Sequence, residues 1–184
     1  EIDILADING INSSDTRAVI SGNTLNAITN YGGVPTHDPD EAIEVEMRGS
    51  AGAPILSVDI TNNTIDSLSF LVGERWDGNG ITIGSAGSSV AFSGPITADV
   101  HNNQVDKVED AGILLLADES ATVNLRVTSN TLTSDTDGME LDTENDPYIL
   151  RTFFANNTAS AWDLEENANA GSVWELGVTA PNGS

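Results

Sequence analysis

The chain has 184 residues, 39% of them hydrophobic, which suits one domain with a continuous but narrow core. It carries 29 Asp and Glu against 6 Lys and Arg, a formal net charge of −23, so nucleic acid and anionic membranes are poor partners. With no Cys there are no disulfides or thiolate metal sites, and with no apolar run of about 18 residues nothing inserts into a membrane as a helix.

Glu1-Ile2-Asp3-Ile4 reads as a strand, with neither a capping helix nor a basic secretion-type segment before it. An alternating run follows, burying Ala18 and Ile20 and ending at Gly22-Asn23-Thr24-Leu25. Beyond a long segment from Leu25 to Glu41, a second kind of strand begins at Ala42-Ile43-Glu44-Val45. The pattern then repeats. Val58 and Ile60 lead to Asn62-Asn63-Thr64-Ile65, a long segment runs from Leu68 to Gly80, and Gly80-Ile81-Thr82-Ile83 starts the next unit. Ala98 and Val100 precede Asn102-Asn103-Gln104-Val105, and Gly112-Ile113-Leu114-Leu115-Leu116 follows. Leu125 and Val127 precede Ser129-Asn130-Thr131-Leu132, and Gly138-Met139-Glu140-Leu141-Asp142 follows. Thr152 and Phe154 precede Asn156-Asn157-Thr158-Ala159, and Val173-Trp174-Glu175-Leu176 is a last strand.

The key Asn recurs at 23, 63, 103, 130 and 157, in steps of 40, 40, 27 and 27 residues. Each unit supplies three strands: one ending at the Asn, a short one after it, and one opening on a small residue. Fixed periodicity of this kind marks a solenoid.

These residues resemble the right-handed parallel β-helix superfamily of pectate-lyase-like proteins, and in style the β-helix repeats of microbial surface proteins. The resemblance covers nearly the whole chain. It implies an all-β solenoid of about five to six coils, with an Asn ladder at the bend between the second and third strands. Asn is suited to that bend because it tolerates a left-handed backbone and carries both a donor and an acceptor. Residues 1–184 are then a single β-helix domain, one module of a longer or polymeric assembly. Asn12, Asn62, Asn156 and Asn182 also fit the N-glycosylation acceptor pattern, although two of them sit in the bends.

The repeat places acids in columns. Asp38 and Asp40, Asp77, Glu109 and Asp110, and Asp135 and Asp137 each precede the first strand of a coil. Adjacent like charges favour a counter-ion, and hard oxygen ligands in loops suit Ca²⁺. The candidate calcium ligands are Asp135, Asp137, Glu140, Asp142, Glu144 and Asp146 in the densest stretch, with Asp110 and Asp77. That stretch lacks the EF-hand spacing, and a solvated face adapted to a saline medium is the other reading.

Asp59, Asp99 and Arg126, each four residues before a ladder Asn, form a second outward column in which Arg126 offsets Asp99. His37 and His101 fall in different coils and make no zinc site. Within Ile113-Leu114-Leu115-Leu116, alternation leaves either Ile113 and Leu115 or Leu114 and Leu116 facing out. The segments bearing Tyr31, Phe70, Leu71 and Trp76, or a neighbouring subunit, are the candidate cover. Trp162 and Trp174 read as core or end-cap residues.

The function expected is a non-catalytic structural or adhesive module of an extracellular or cell-surface assembly. Its partners are copies of itself, adjacent β-helix modules or extracellular glycans. The alternatives are a polysaccharide lyase or depolymerase, as the resemblance implies, and a Ca²⁺-dependent carbohydrate-binding module. The strands at both termini leave two options: the chain continues in a longer parent, or open ends pair with other copies.

Overall fold

The computed structural model describes residues 2–8, 16–26, 41–49, 56–66, 79–84, 95–108, 110–117, 122–134, 137–143, 149–164 and 173–179. They form a parallel β-helix. The first coil comprises β1 (Ile2–Ile8), β2 (Thr16–Ser21) and β3 (Thr24–Asn26); the second β4 (Glu41–Gly49), β5 (Leu56–Thr61) and β6 (Thr64–Asp66). The third comprises β7 (Asn79–Gly84), β8 (Pro95–His101) and β9 (Gln104–Val108). The fourth has β10 (Ala111–Ala117), β11 (Thr122–Thr128) and β12 (Thr131–Ser134), and the fifth β13 (Asp137–Thr143), β14 (Ile149–Ala155) and β15 (Thr158–Ala159). β16 (Trp162–Leu164) and β17 (Val173–Thr179) belong to a sixth coil. Equivalent strands pair in parallel, giving a first sheet of six strands (β1 to β16), a second of six (β2 to β17) and a third of five (β3 to β15).

The expected alternation is what the core uses. In the first sheet Ile43, Ile81, Ile113 and Met139 stack in register, as do Val45, Ile83, Leu115 and Leu141, and all eight are buried. In the second sheet Ile20, Ile60, Val100, Val127 and Phe154 form an equivalent buried column. The open choice at Ile113 to Leu116 is resolved: Ile113 and Leu115 are buried, and Leu114 lies outward between Thr82 and Glu140. Tyr31, Phe70, Leu71 and Trp76, the expected cover, lie outside the described residues. Trp162 is half-buried and packs edge-on against the core residue Phe154, with ring centroids 5.4 Å apart at 83°.

The small residues that open the first-sheet strands are a steric requirement. The third sheet crosses so close to this corner that a Cβ on Gly80 would stand 2.4 Å from Val105 Cγ1. One on Gly112 would meet the Gly138 carbonyl oxygen at 2.6 Å, and one on Gly138 would meet Ala159 Cβ at 2.7 Å.

The ladder is continuous. Asn63 donates from Nδ2 to the Ile20 carbonyl (3.0 Å) and to Asn103 Oδ1 (3.0 Å), while its own Oδ1 accepts from the Asn23 backbone N–H (3.0 Å) and Nδ2 (2.9 Å). Asn103 repeats the pattern with Ile60 and Asn130, and Asn130 with Val100 and Asn157. One expectation is corrected. The left-handed backbone belongs to the residue before each ladder Asn, namely Gly22, Asn62, Asn102, Ser129 and Asn156, with φ between 56° and 69°. The division of labour follows from the bend: the exposed residue absorbs the turn, which aims the next side chain inward onto the ladder.

Asn103→Leu removes four side-chain hydrogen bonds from a buried site and takes the acceptor from the Asn63 backbone N–H and one Asn63 Nδ2–H, and a donor from the Ile60 carbonyl and Asn130 Oδ1. It should destabilise the fold by about 3 kcal/mol or more in denaturant unfolding. Asn23→Leu, at a half-buried end of the ladder, should cost clearly less, so equal losses would show that the ladder is not the cause.

Candidate functional site

Two charged surfaces emerge from the register. The first is on the outer side of the first sheet and its leading corner. Asp137 opens β13 one coil beyond Asp110, its backbone N–H donating to the Asp110 carbonyl at 3.2 Å. Glu140 stands in register with Leu114 on one side and Asp163 on the other. Half-buried Asp137 is pushed above the ordinary carboxylate range, first by desolvation, then by the charges of Asp163 and Asp110. Asp163 therefore belongs to this acidic group although the sequence reading did not single it out. The signal was available as spacing: Asp163 follows Glu140 by 23 residues, one short coil, but its coil is shorter than those before it.

Asp142 lies in β13 in register with Leu116. Asp77, Asp135, Glu144 and Asp146 lie outside the described residues. Among the described residues no three His, Cys, Asp or Glu side chains converge in an arrangement that could hold a metal ion. Asp110, Asp137 and Asp163 are thus close enough to repel one another but do not by themselves form a cation cage.

The second surface is the outward face of the second sheet. Val19, Asp59, Asp99, Arg126 and Phe153 stand in one column, and Arg17, Ser57, Thr97, Asn124 and Arg151 in the next. Arg126 Nη1 donates to Asp99 Oδ2 at 2.9 Å, the pair expected from the repeat, and Arg17 pairs with Asp59. Asp59 and Asp99 are register neighbours, so each like-charged acid is offset by a cation from an outer coil. Arg151 in β14 registers with Asn124, two residues before Arg126.

A third contact comes from a bulge. Between β9 and β12 the register skips Lys107, whose φ is 55°, and the displaced Lys107 Nζ reaches Asp66 (3.4 Å) and Asp106 (3.7 Å). His101 Nδ1 sits 3.2 Å from both Thr61 Oγ1 and Asn102 Nδ2, a local bend contact; His37 lies outside the described residues. The glycosylation-pattern residues Asn62 and Asn156 are the exposed left-handed residues of their bends, while Asn63 and Asn157 are buried. No family model matches the chain, and neither a curated protein nor a solved structure matches it.

The raised Asp137 sets a sign for pH dependence. Folding binds its proton more tightly, so ionisation costs stability as pH climbs from the ordinary carboxylate value through the raised one, and the cost is complete above it. Asp137→Asn should raise the thermal midpoint at pH 7, with the gain shrinking as pH falls through the raised value and vanishing below about pH 4. A gain that is the same at both pH values would mean that charge is not its origin.

Proposed function

We propose that this chain is a structural or adhesive β-helix module of an extracellular or cell-surface assembly, non-catalytic and able to stack end to end with copies of itself or with adjacent β-helix modules. It would belong with the β-helix repeats of microbial surface proteins within the pectate-lyase-like superfamily. The polarity of the ladder carries the reading. Asn23, Asn63, Asn103 and Asn130 each send their backbone N–H and one amide N–H to the Asn of the following coil. Carbonyls answer in the other direction, since Thr64, Gln104, Thr131 and Thr158 donate to the preceding ladder Asn. Opposite ends of such a stack are complementary, with donors where the other end has acceptors. A head-to-tail contact between unlike surfaces does not close, so it grows into filaments.

Ca²⁺ is the proposed ligand of the acidic column, supported by the negative charges of Asp163 and Asp110 that bear on half-buried Asp137. The same column with an extracellular glycan makes the second reading, a Ca²⁺-dependent carbohydrate-binding module. A lyase would use Arg126 as its basic group, and that guanidinium is already engaged by Asp99 at 2.9 Å.

Calcium should raise the thermal midpoint, and Asp135→Asn with Asp137→Asn should remove most of the gain. If sodium chloride at matched ionic strength gives the same rise, screening explains it and the site is lost. For assembly, electron microscopy and light scattering should show filaments. Thr24 repeats the position whose N–H crosses to the preceding coil, so Thr24→Pro should abolish filaments while leaving the internal coils folded. Wild-type chain that stays free of filaments at high concentration, in both calcium and salt, ends the end-to-end proposal.

A further inference from the structure

The outward face of the second sheet differs from the rest of the chain in charge. Its described positions hold Arg17, Arg126 and Arg151 against Asp59, Asp99 and Glu175, which stands in register with Arg151, in a chain of net charge −23 with 6 Lys and Arg in all. It also holds the exposed large hydrophobics of the described residues, Val19 at 60% and Phe153 at 37% exposure. In the neighbouring column Ser57, Thr97 and Asn124, short polar residues, lie between Arg17 and Arg151. A flat face that is close to neutral is where two such acidic molecules meet with least repulsion.

We propose that this face pairs with the same face of a second copy, about a two-fold axis running along the strands between β8 and β11. Such a rotation keeps the position along a strand and reverses the order of coils. β8 then lies over the partner's β11, β5 over its β14, and β2 over its β17. Arg126 comes opposite Asp99 of the second copy, and Asp99 opposite its Arg126, closing two intramolecular pairs into a ring of four alternating charges. Thr97 meets Asn124, each with a donor and an acceptor. Phe153 comes over the Arg17–Asp59 pair, where its ring face suits the guanidinium. Val19 comes over Gly177, whose missing side chain leaves a shelf beside Phe153: a Cβ there would stand 3.3 Å from the Phe153 ring. The apolar groups of one copy thus meet those of the other, and none of the charges named here faces its like.

Six strands at about 4.8 Å, three outward positions wide, offer on the order of 500 Å² per copy, near the lower limit for a specific interface. The dimer is therefore weak and concentration-dependent. It strengthens with salt, because screening removes the long-range repulsion between two strongly negative bodies while leaving the short contacts.

Sedimentation equilibrium across a concentration series, in low salt and in about 1 M sodium chloride, tests this. With end-to-end growth blocked by Thr24→Pro, a reversible dimer should form in high salt, and adding Arg126→Glu, which would gather four acids at the centre, should raise its Kd at least about tenfold. The exchanged pair, Asp99→Arg with Arg126→Asp, restores alternation and should restore the dimer. Phe153→Glu should also disrupt it, and Thr24→Pro, which acts on the stacking end, should not. Circular dichroism melts confirm that each variant is folded. A chain monomeric at every concentration in high salt overturns the proposal, as does a dimer untouched by both Arg126→Glu and Phe153→Glu, or a folded exchanged pair that fails to associate.

Discussion

The Asn ladder is the constraint on which the rest of the coil depends. A side-chain amide buried in an apolar tube costs several kcal/mol unless its donors and acceptor are matched. Asn63, Asn103 and Asn130 meet that demand only because the next coil puts another Asn at the same height and angle. The bend before each must therefore be the same length and shape in every coil, which the residues of positive φ at 22, 62, 102, 129 and 156 secure. Length variation is pushed elsewhere. The extra residues that separate a 40-residue step from a 27-residue step fall between the third and first sheets and between the first and second, never at the ladder corner.

Where the third-to-first corner is short, close approach takes over as the constraint. Gly112 and Gly138 allow backbone to pass beneath Leu132 and Ala159, and Gly80 does the same under Val105 although a long segment precedes it. Polar matching at one corner and steric fit at another hold the three sheets in register. The core columns can then exchange Ile, Val, Leu, Met and Phe with little consequence for the path of the chain. Surface charge plays no comparable part, since the cations Arg17, Lys107 and Arg126 of these ion pairs are largely exposed and water screens their attraction.

The sequence made the ladder, the inward alternation and the three-strand unit legible because each rests on a short local pattern repeated five times. The Arg126–Asp99 pair followed from the same counting. What stayed hidden depends on contacts between coils of unequal length. Arg151 in register with Asn124, Arg17 on Asp59 and Asp163 beside Glu140 are 23 to 42 residues apart, and no single period joins them all. Lys107 was beyond reach for another reason, because the bulge that turns it onto Asp66 interrupts the alternation used to assign faces. The choice between Leu114 and Ile113 needed the register with Ile81 and Met139 to decide.

The acidic corner and the near-neutral face respond to ions in opposite ways, and this links the two proposed associations. Asp110, Asp137 and Asp163 crowd charge that screening or a bound divalent cation relieves, so added ions stabilise the coil itself. The outward face of the second sheet already balances its charges, and ions there act only by quieting the repulsion from the remainder of the molecule. Backbone donors at the ends of the stack are less sensitive still, because their bonds are short-ranged and neutral. A rise in ionic strength would therefore act in order: it firms the acidic corner, then permits lateral pairing, while adding little to each end-to-end contact beyond lower repulsion. On this scaffold the medium, rather than any one side chain, would set how far the proposed associations proceed, with the −23 charge making the chain responsive to it.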